Sequence, residues 1–222
     1  MKTKPFQPEA AARVGLSHHV IGYQDYIASR VLLRKGLLLQ GAVLASTAVE
    51  KNFKAFLAAK GIQAFGHLSD WSFTRLKKLA SELELNADFL LLLQIVYRTR
   101  YLDDVKEPVS FSIERLKCLV ELDWTVHKLR SAVEFRRGNE PVSPYKSAIA
   151  ERREELCSEN FVVDGVAKEE LLRRPDIAES FYIDKSLEII SCRTTAWIPK
   201  DRASFSCPGI RWDGRTYHAL LV

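Results

Sequence analysis

The chain has 222 residues, 47% hydrophobic and 27% charged, the composition of an ordinary globular protein with ample material for a core. Its longest apolar run, FLLLLQIVY at 89–97, is about half of the roughly 20 residues that a membrane helix needs, so no membrane span is expected. Cys118, Cys157, Cys192 and Cys207 stand singly, which argues against a zinc cluster or a disulfide scaffold. The net charge of +5 is unevenly placed: residues 1–140 carry 21 Lys and Arg against 15 Asp and Glu, whereas residues 141–222 carry 12 against 13. A basic first part suits an anionic partner such as RNA or a nucleotide, and equally suits a plain solvated surface.

In chain order, residues 1–16 hold Pro5, Pro8 and Gly15 and are expected to be disordered. The opening MKTKPFQPEAAAR lacks the apolar core of a signal peptide, which predicts a cytoplasmic protein. A helical pattern begins near Tyr23 and reaches Gly36. A long helix is predicted over 37–60, closed by Gly61 in the left-handed conformation. A third helix falls at about 70–84, with Ser69 or Asp70 as N-cap, and a fourth at about 87–98. After YRTRYLDDVKEP, a fifth is predicted over 111–136, capped by Ser110 or Ser112. It carries two apolar stripes, Ile113/Leu116/Val120/Trp124 and Leu119/Leu122/Val126/Leu129/Val133.

The character changes at RRGNEPVSP, 136–144, where Gly, Asn and two prolines end the pattern. Beyond it, AIAERREELCSE and VAKEELLRR read as short helices, SLEIISCRTTAWI as a strand, and the runs around Asp213-Gly214 as a hairpin. The expected fold is mainly α: a bundle of about five helices over 17–137, then a small mixed α/β appendage over 145–222 with a short antiparallel sheet.

Within the long helix, Glu50, Lys51 and Lys54 lie on otherwise apolar stripes. A carboxylate there needs a partner. Lys54, one turn on, is one candidate through an i,i+4 pair.

The order of features over 25–104 resembles the HEPN family (higher eukaryotes and prokaryotes nucleotide-binding domain), and the fifth helix would extend the likeness over about 23–137. A short helix, YIASRVLLRKG, precedes an Ala-rich long helix, GAVLASTAVEKNFKAFLAAKG. His67-Leu68, a Leu-spaced helix and YRTRYLDD follow. Leu102 stands where the family pattern has proline, and Leu68 directly follows His67. The resemblance implies a helical bundle that binds nucleotide or RNA in a basic groove between helices. It implies that Glu50 orients Arg98 and Arg100, with Lys51, Lys54 and Tyr101 nearby as ligand contacts.

RNase members of that family carry Arg, then four to six intervening residues, then His near the start of the last helix. The matching slot here is RTRYLDDVKE, in which Asp103, Asp104 or Val105 stands where a His counted from Arg98 belongs. Arg98, Arg100 and Asp103 would be the catalytic candidates if the chain were a nuclease, and a noncatalytic binder is the expected form. The spacing recurs from Arg13 to His18 and His19 and from Arg211 to His218, at a rate that composition alone produces. His127 reads as a core or boundary residue, and His67 as a partner for a helix-end carbonyl. No P-loop, Rossmann fingerprint, HExxH or GxSxG occurs, and neither cofactor nor metal is expected.

Three functions are therefore open: a nucleotide or RNA binder, a metal-independent RNase toxin paired with a nucleotidyltransferase-like antitoxin, and a noncatalytic assembly module. A homodimer is expected. Related domains pair, and the second apolar stripe of the fifth helix exceeds what one bundle face requires.

Overall fold

In the computed structural model, residues 3–5, 8–71, 73–100, 109–183 and 189–197 are described. The fold is mainly helical, with small antiparallel sheets. Helix α1 (Pro8–Arg34) and helix α2 (Leu38–Ala59) form a hairpin across a three-residue turn. Their approach is close because Gly41 has no Cβ, and one built there would lie 2.7 Å from Leu33 Cγ. Helix α2 is one continuous element and the centre of the bundle. Ala42, Ala45, Ala48, Val49 and Phe53 along it are fully buried. Gly61 ends it at φ 71°, the left-handed conformation expected of it.

Residues 3–5 and 8–16 form a strand and the start of a helix in place of the expected disorder. Strand β1 (Thr3–Pro5) pairs antiparallel with β2 (Ile62–Ala64), just beyond α2. Pro8 opens α1, a position where its missing N–H is harmless, and Ala11 is already buried. Pro5 closes β1 and Pro8 starts a helix.

A short 3-10 turn (Leu68–Asp70) leads into α3 (Phe73–Glu82) and α4 (Ala87–Arg98). Asn86 caps α4, accepting from the backbone N–H groups of Asp88 and Phe89 at 3.0 and 3.2 Å. Leu68, Trp71, Phe89, Leu90 and Leu93 fill the space against α2. Burying one such side chain stabilises the fold by about 1.5–3 kcal/mol.

The expected fifth helix is shorter at both ends. Val109–Glu114 is strand β3, and α5 runs Arg115–Ser131. Val109, Phe111 and Ile113 alternate at the strand period, and this outweighs the capping signal of the two serines. β3 pairs antiparallel with β6 (Asp176–Ile183), with Phe111 opposite Phe181, and β6 pairs with β7 (Ile189–Trp197). The sheet assigned to a C-terminal appendage thus takes its first strand from inside the expected bundle. A two-residue pair, β4 (Arg136–Arg137) with β5 (Glu140–Pro141), marks the predicted break. The hairpin expected around Asp213-Gly214 lies outside the described residues.

Residues 144–183 are bound into the core. They form α6 (Pro144–Ala150), α7 (Glu154–Cys157), α8 (Phe161–Asp164) and α9 (Lys168–Leu171) before β6. Arg30 of α1, fully buried, pairs with Asp123 of α5 and donates to the carbonyls of Glu155 and Ser158. Tyr26 donates to Asp123 at 2.7 Å, and Asn160 donates to Leu156 O at 2.9 Å. Burial pushes the Asp123 carboxyl upward, and Arg30 pulls it back. A second buried guanidinium, Arg130, donates to His19 O and Asn52 Oδ1 and lies 5.4 and 5.9 Å from the Tyr23 and Tyr145 rings.

Both apolar stripes of α5 are covered within the chain. Ile113, Leu116, Leu119, Val120, Leu122, Val126 and Leu129 are buried. Trp124 meets Phe161 of α8 and donates to Glu84 O at 2.8 Å. The surplus apolar face invoked for a homodimer is absent from α5, and that ground for dimerisation is withdrawn.

Candidate functional site

Glu50 is 6% exposed in the middle of α2, and it collects three partners. Lys54 Nζ lies 2.7 Å from Oε1, one helical turn on. Leu68 N–H donates to Oε2 at 3.0 Å, and His67 Nδ1 lies 3.3 Å from the same oxygen. The i,i+4 alternative is therefore the one realised. The orientation of Arg98 and Arg100 by Glu50, implied by the family resemblance, is replaced by contacts to Lys54 and to the turn after Gly66. The reason is reach: the 3-10 turn brings a backbone N–H and a histidine directly onto the carboxylate.

That turn is held from both sides. Asp70 Oδ2 accepts from His67 N at 2.7 Å. Gln94, buried on α4, donates its side-chain amide to Leu68 O at 2.7 Å and Trp71 O at 2.8 Å. Tyr97, one turn further along α4, places its hydroxyl 2.9 Å from His67 Nδ1, with the two rings 5.0 Å apart. The Arg100 guanidinium lies 5.2 Å from the centre of the same Tyr97 ring. His67 therefore turns its Nδ1 edge inward, and its side chain is 57% exposed. The expectation that it bonds a helix-end carbonyl is corrected: its partners are a carboxylate and a phenol.

Of the remaining predicted site residues, Lys51 pairs with Asp25 of α1 rather than standing free for a ligand. Arg98 is the last residue of α4, and both it and Arg100 are exposed. Tyr101 and Asp103 lie outside the described residues. The structure thus joins Glu50 to Lys54, and Arg100 to Tyr97 and so to His67, while directing Lys51 toward α1.

Sequence reasoning missed His67 and Tyr97 as a pair, and Gln94 as their support. The available signal was weak: a Gly-His-Leu-x-Asp turn after a helix, and a tyrosine one residue before Arg98. His18 of α1 is a further member. Burial lowers its pKa, Lys54 and Lys51 lower it further, and Glu50 opposes them, which places it within electrostatic reach of the cluster.

The other histidine sites serve the core. His19 packs on Phe135 at 5.2 Å and is pushed down to about 3, first by burial and then by Arg130. His127 lies 3.4 Å from the Tyr145 hydroxyl and beside Trp124, the boundary position expected of it. Cys118 and Cys157 are buried, and burial drives the Cys118 thiol far up.

Chemically, the cluster offers a neutralised buried carboxylate, an imidazole with one edge anchored, and cationic groups at the end of α4. Such a set can hold an anion or carry a proton. Among the described residues no group of three or more His, Cys, Asp or Glu is placed to hold a metal, and no helix is long and apolar enough to cross a membrane. No family model, curated protein or solved structure matches the chain.

Proposed function

We propose that the protein binds nucleotide or RNA through its phosphates at the face formed by the end of α4 and the turn around His67. Arg98 and Arg100 are the phosphate contacts, Lys54 lends charge from behind, and Tyr101 follows directly in sequence. The observation that carries the reading is the cluster on Tyr97: its ring contacts both Arg100 and His67, and its hydroxyl meets an imidazole that a buried Glu50 also touches. The basic excess of residues 1–140 and the HEPN-like order of features support the same ligand class. Arginine suits the role because its planar fork matches phosphate oxygens.

The protein acts as a binder rather than a nuclease, because no His follows Arg98 or Arg100 after four to six intervening residues. A homodimer and a nucleotidyltransferase-like partner remain part of the proposal through the family resemblance alone.

Labelled single-stranded RNA, titrated with protein and followed by anisotropy over a salt series, tests the reading. Replacing Arg98 and Arg100 together by Ala should weaken binding and reduce the salt slope by about 0.7 per lost phosphate contact. Equal binding by the wild type and the double variant would overturn the assignment. RNA cleavage in EDTA, lost in Arg98→Ala, would instead establish the nuclease alternative. Light scattering near 25 kDa at micromolar concentration would reject the homodimer.

A further inference from the structure

Resting on the phosphate-binding reading, we infer that His67 is itself a ligand contact and takes up one proton when the anion binds. The geometry sets up the coupling. The inward Nδ1 lies 2.9 Å from the Tyr97 hydroxyl and 3.3 Å from Glu50 Oε2. The opposite edge of this half-exposed ring, carrying Nε2, is the one a ligand meets.

Neither neutral tautomer serves both edges. With the proton on Nε2, the ring can donate outward and accept from Tyr97, but its Nδ1 lone pair then faces the Glu50 carboxylate. With the proton on Nδ1, the ring donates inward and presents a lone pair to an incoming anion. Only the imidazolium donates on both sides, to Glu50 and Tyr97 inside and to a phosphate oxygen outside. An anion at Nε2 therefore stabilises the charged ring, and by reciprocity the charged ring strengthens anion binding.

Among the described residues, the charges around the ring come from several elements. Helix α2 contributes Glu50 and Lys54, whose opposite charges lie 2.7 Å apart and partly cancel. The 3-10 turn contributes Asp70, engaged with His67 N. Helix α4 and its end contribute Tyr97 and Arg100, and α1 contributes His18, whose pKa is lowered first by burial and then by Lys54. Glu50 and Asp70 favour the imidazolium, whereas Lys54 opposes it. A bound phosphate brings negative charge to the outer edge of the ring, so proton uptake accompanies binding.

An oligouridylate carrying a pH-insensitive dye is a suitable probe, because its phosphodiesters do not titrate between pH 5.5 and 8. At constant ionic strength, its affinity for the wild-type chain should rise about tenfold as pH falls across that range. His67→Gln keeps an outward N–H but cannot charge, so its affinity should be flat with pH, while His18→Gln should keep the wild-type slope. Calorimetry of the wild type in buffers of different ionisation enthalpy should count about half a proton taken up where the pH slope is steepest, and this count needs no variant. Binding without proton uptake, or a pH slope that persists in His67→Gln, would overturn the inference and leave the binding reading intact. No binding at any pH would overturn both.

Discussion

Lowering the pH from 7 to 5 should destabilise the fold by about 2 kcal/mol through a single residue, His19. Its ring is 2% exposed, packs on Phe135, and has no hydrogen-bond partner on either nitrogen among the described residues. Burial, reinforced by the nearby Arg130 guanidinium, depresses its pKa from 6.5 to about 3. In the unfolded chain the same residue protonates near 6.5, so below that pH the unfolded state binds the extra proton. The contribution is fully present above pH 6.5 and is lost as pH falls toward 3, at about 1.4 kcal/mol per unit. His18 and His127, also depressed by burial, act in the same direction. Urea unfolding at pH 7, 6 and 5 reads the effect above the range in which most carboxylates titrate. His19→Leu should fold and should lose about 2 kcal/mol less than the wild type over the same interval. An unchanged pH slope in His19→Leu would refute the reasoning, because the buried neutral ring would then not be the source.

Two further substitutions probe the core. Asp123→Ala strands the fully buried Arg30 guanidinium and leaves the Tyr26 hydroxyl without its acceptor; thermal or urea unfolding should register a loss of about 3–5 kcal/mol. Gly41→Ala drives a methyl to 2.7 Å from Leu33 Cγ and 3.0 Å from Leu33 N, so the α1–α2 hairpin must shift; a loss of about 1–3 kcal/mol is expected in the same assay.

The helices with long, one-sided periodicity were legible in the sequence. Leu38–Ala59 is continuous and ends at Gly61, and Ala87–Arg98 falls where the pattern placed it. The failures have physical causes. Ser110, Ser112 and Glu114 carry a helix-start signal, yet Phe111 and Ile113 alternate with them and find a partner strand some 70 residues away, which no local window can see. β6 itself went unread because both of its faces are covered, which leaves no clean alternation. The C-terminal helices are short and gain stability from contacts such as Arg30 to Glu155 O, which the composition change at 136–144 does not signal. At the candidate site, the charges on the α2 stripe signalled a buried carboxylate, and Lys54 was a foreseeable partner. His67 and Tyr97 were not foreseeable as a pair, because 30 residues separate them and only the tertiary fold brings them to 2.9 Å.

A backbone amide NMR titration with the oligouridylate maps the ligand face most directly. Binding at the end of α4 predicts that the largest shifts fall on His67, Leu68, Tyr97, Arg98 and Arg100, with the far side of α5 unmoved. Shifts centred elsewhere, or none at millimolar probe, would contradict a phosphate-binding role for this cluster.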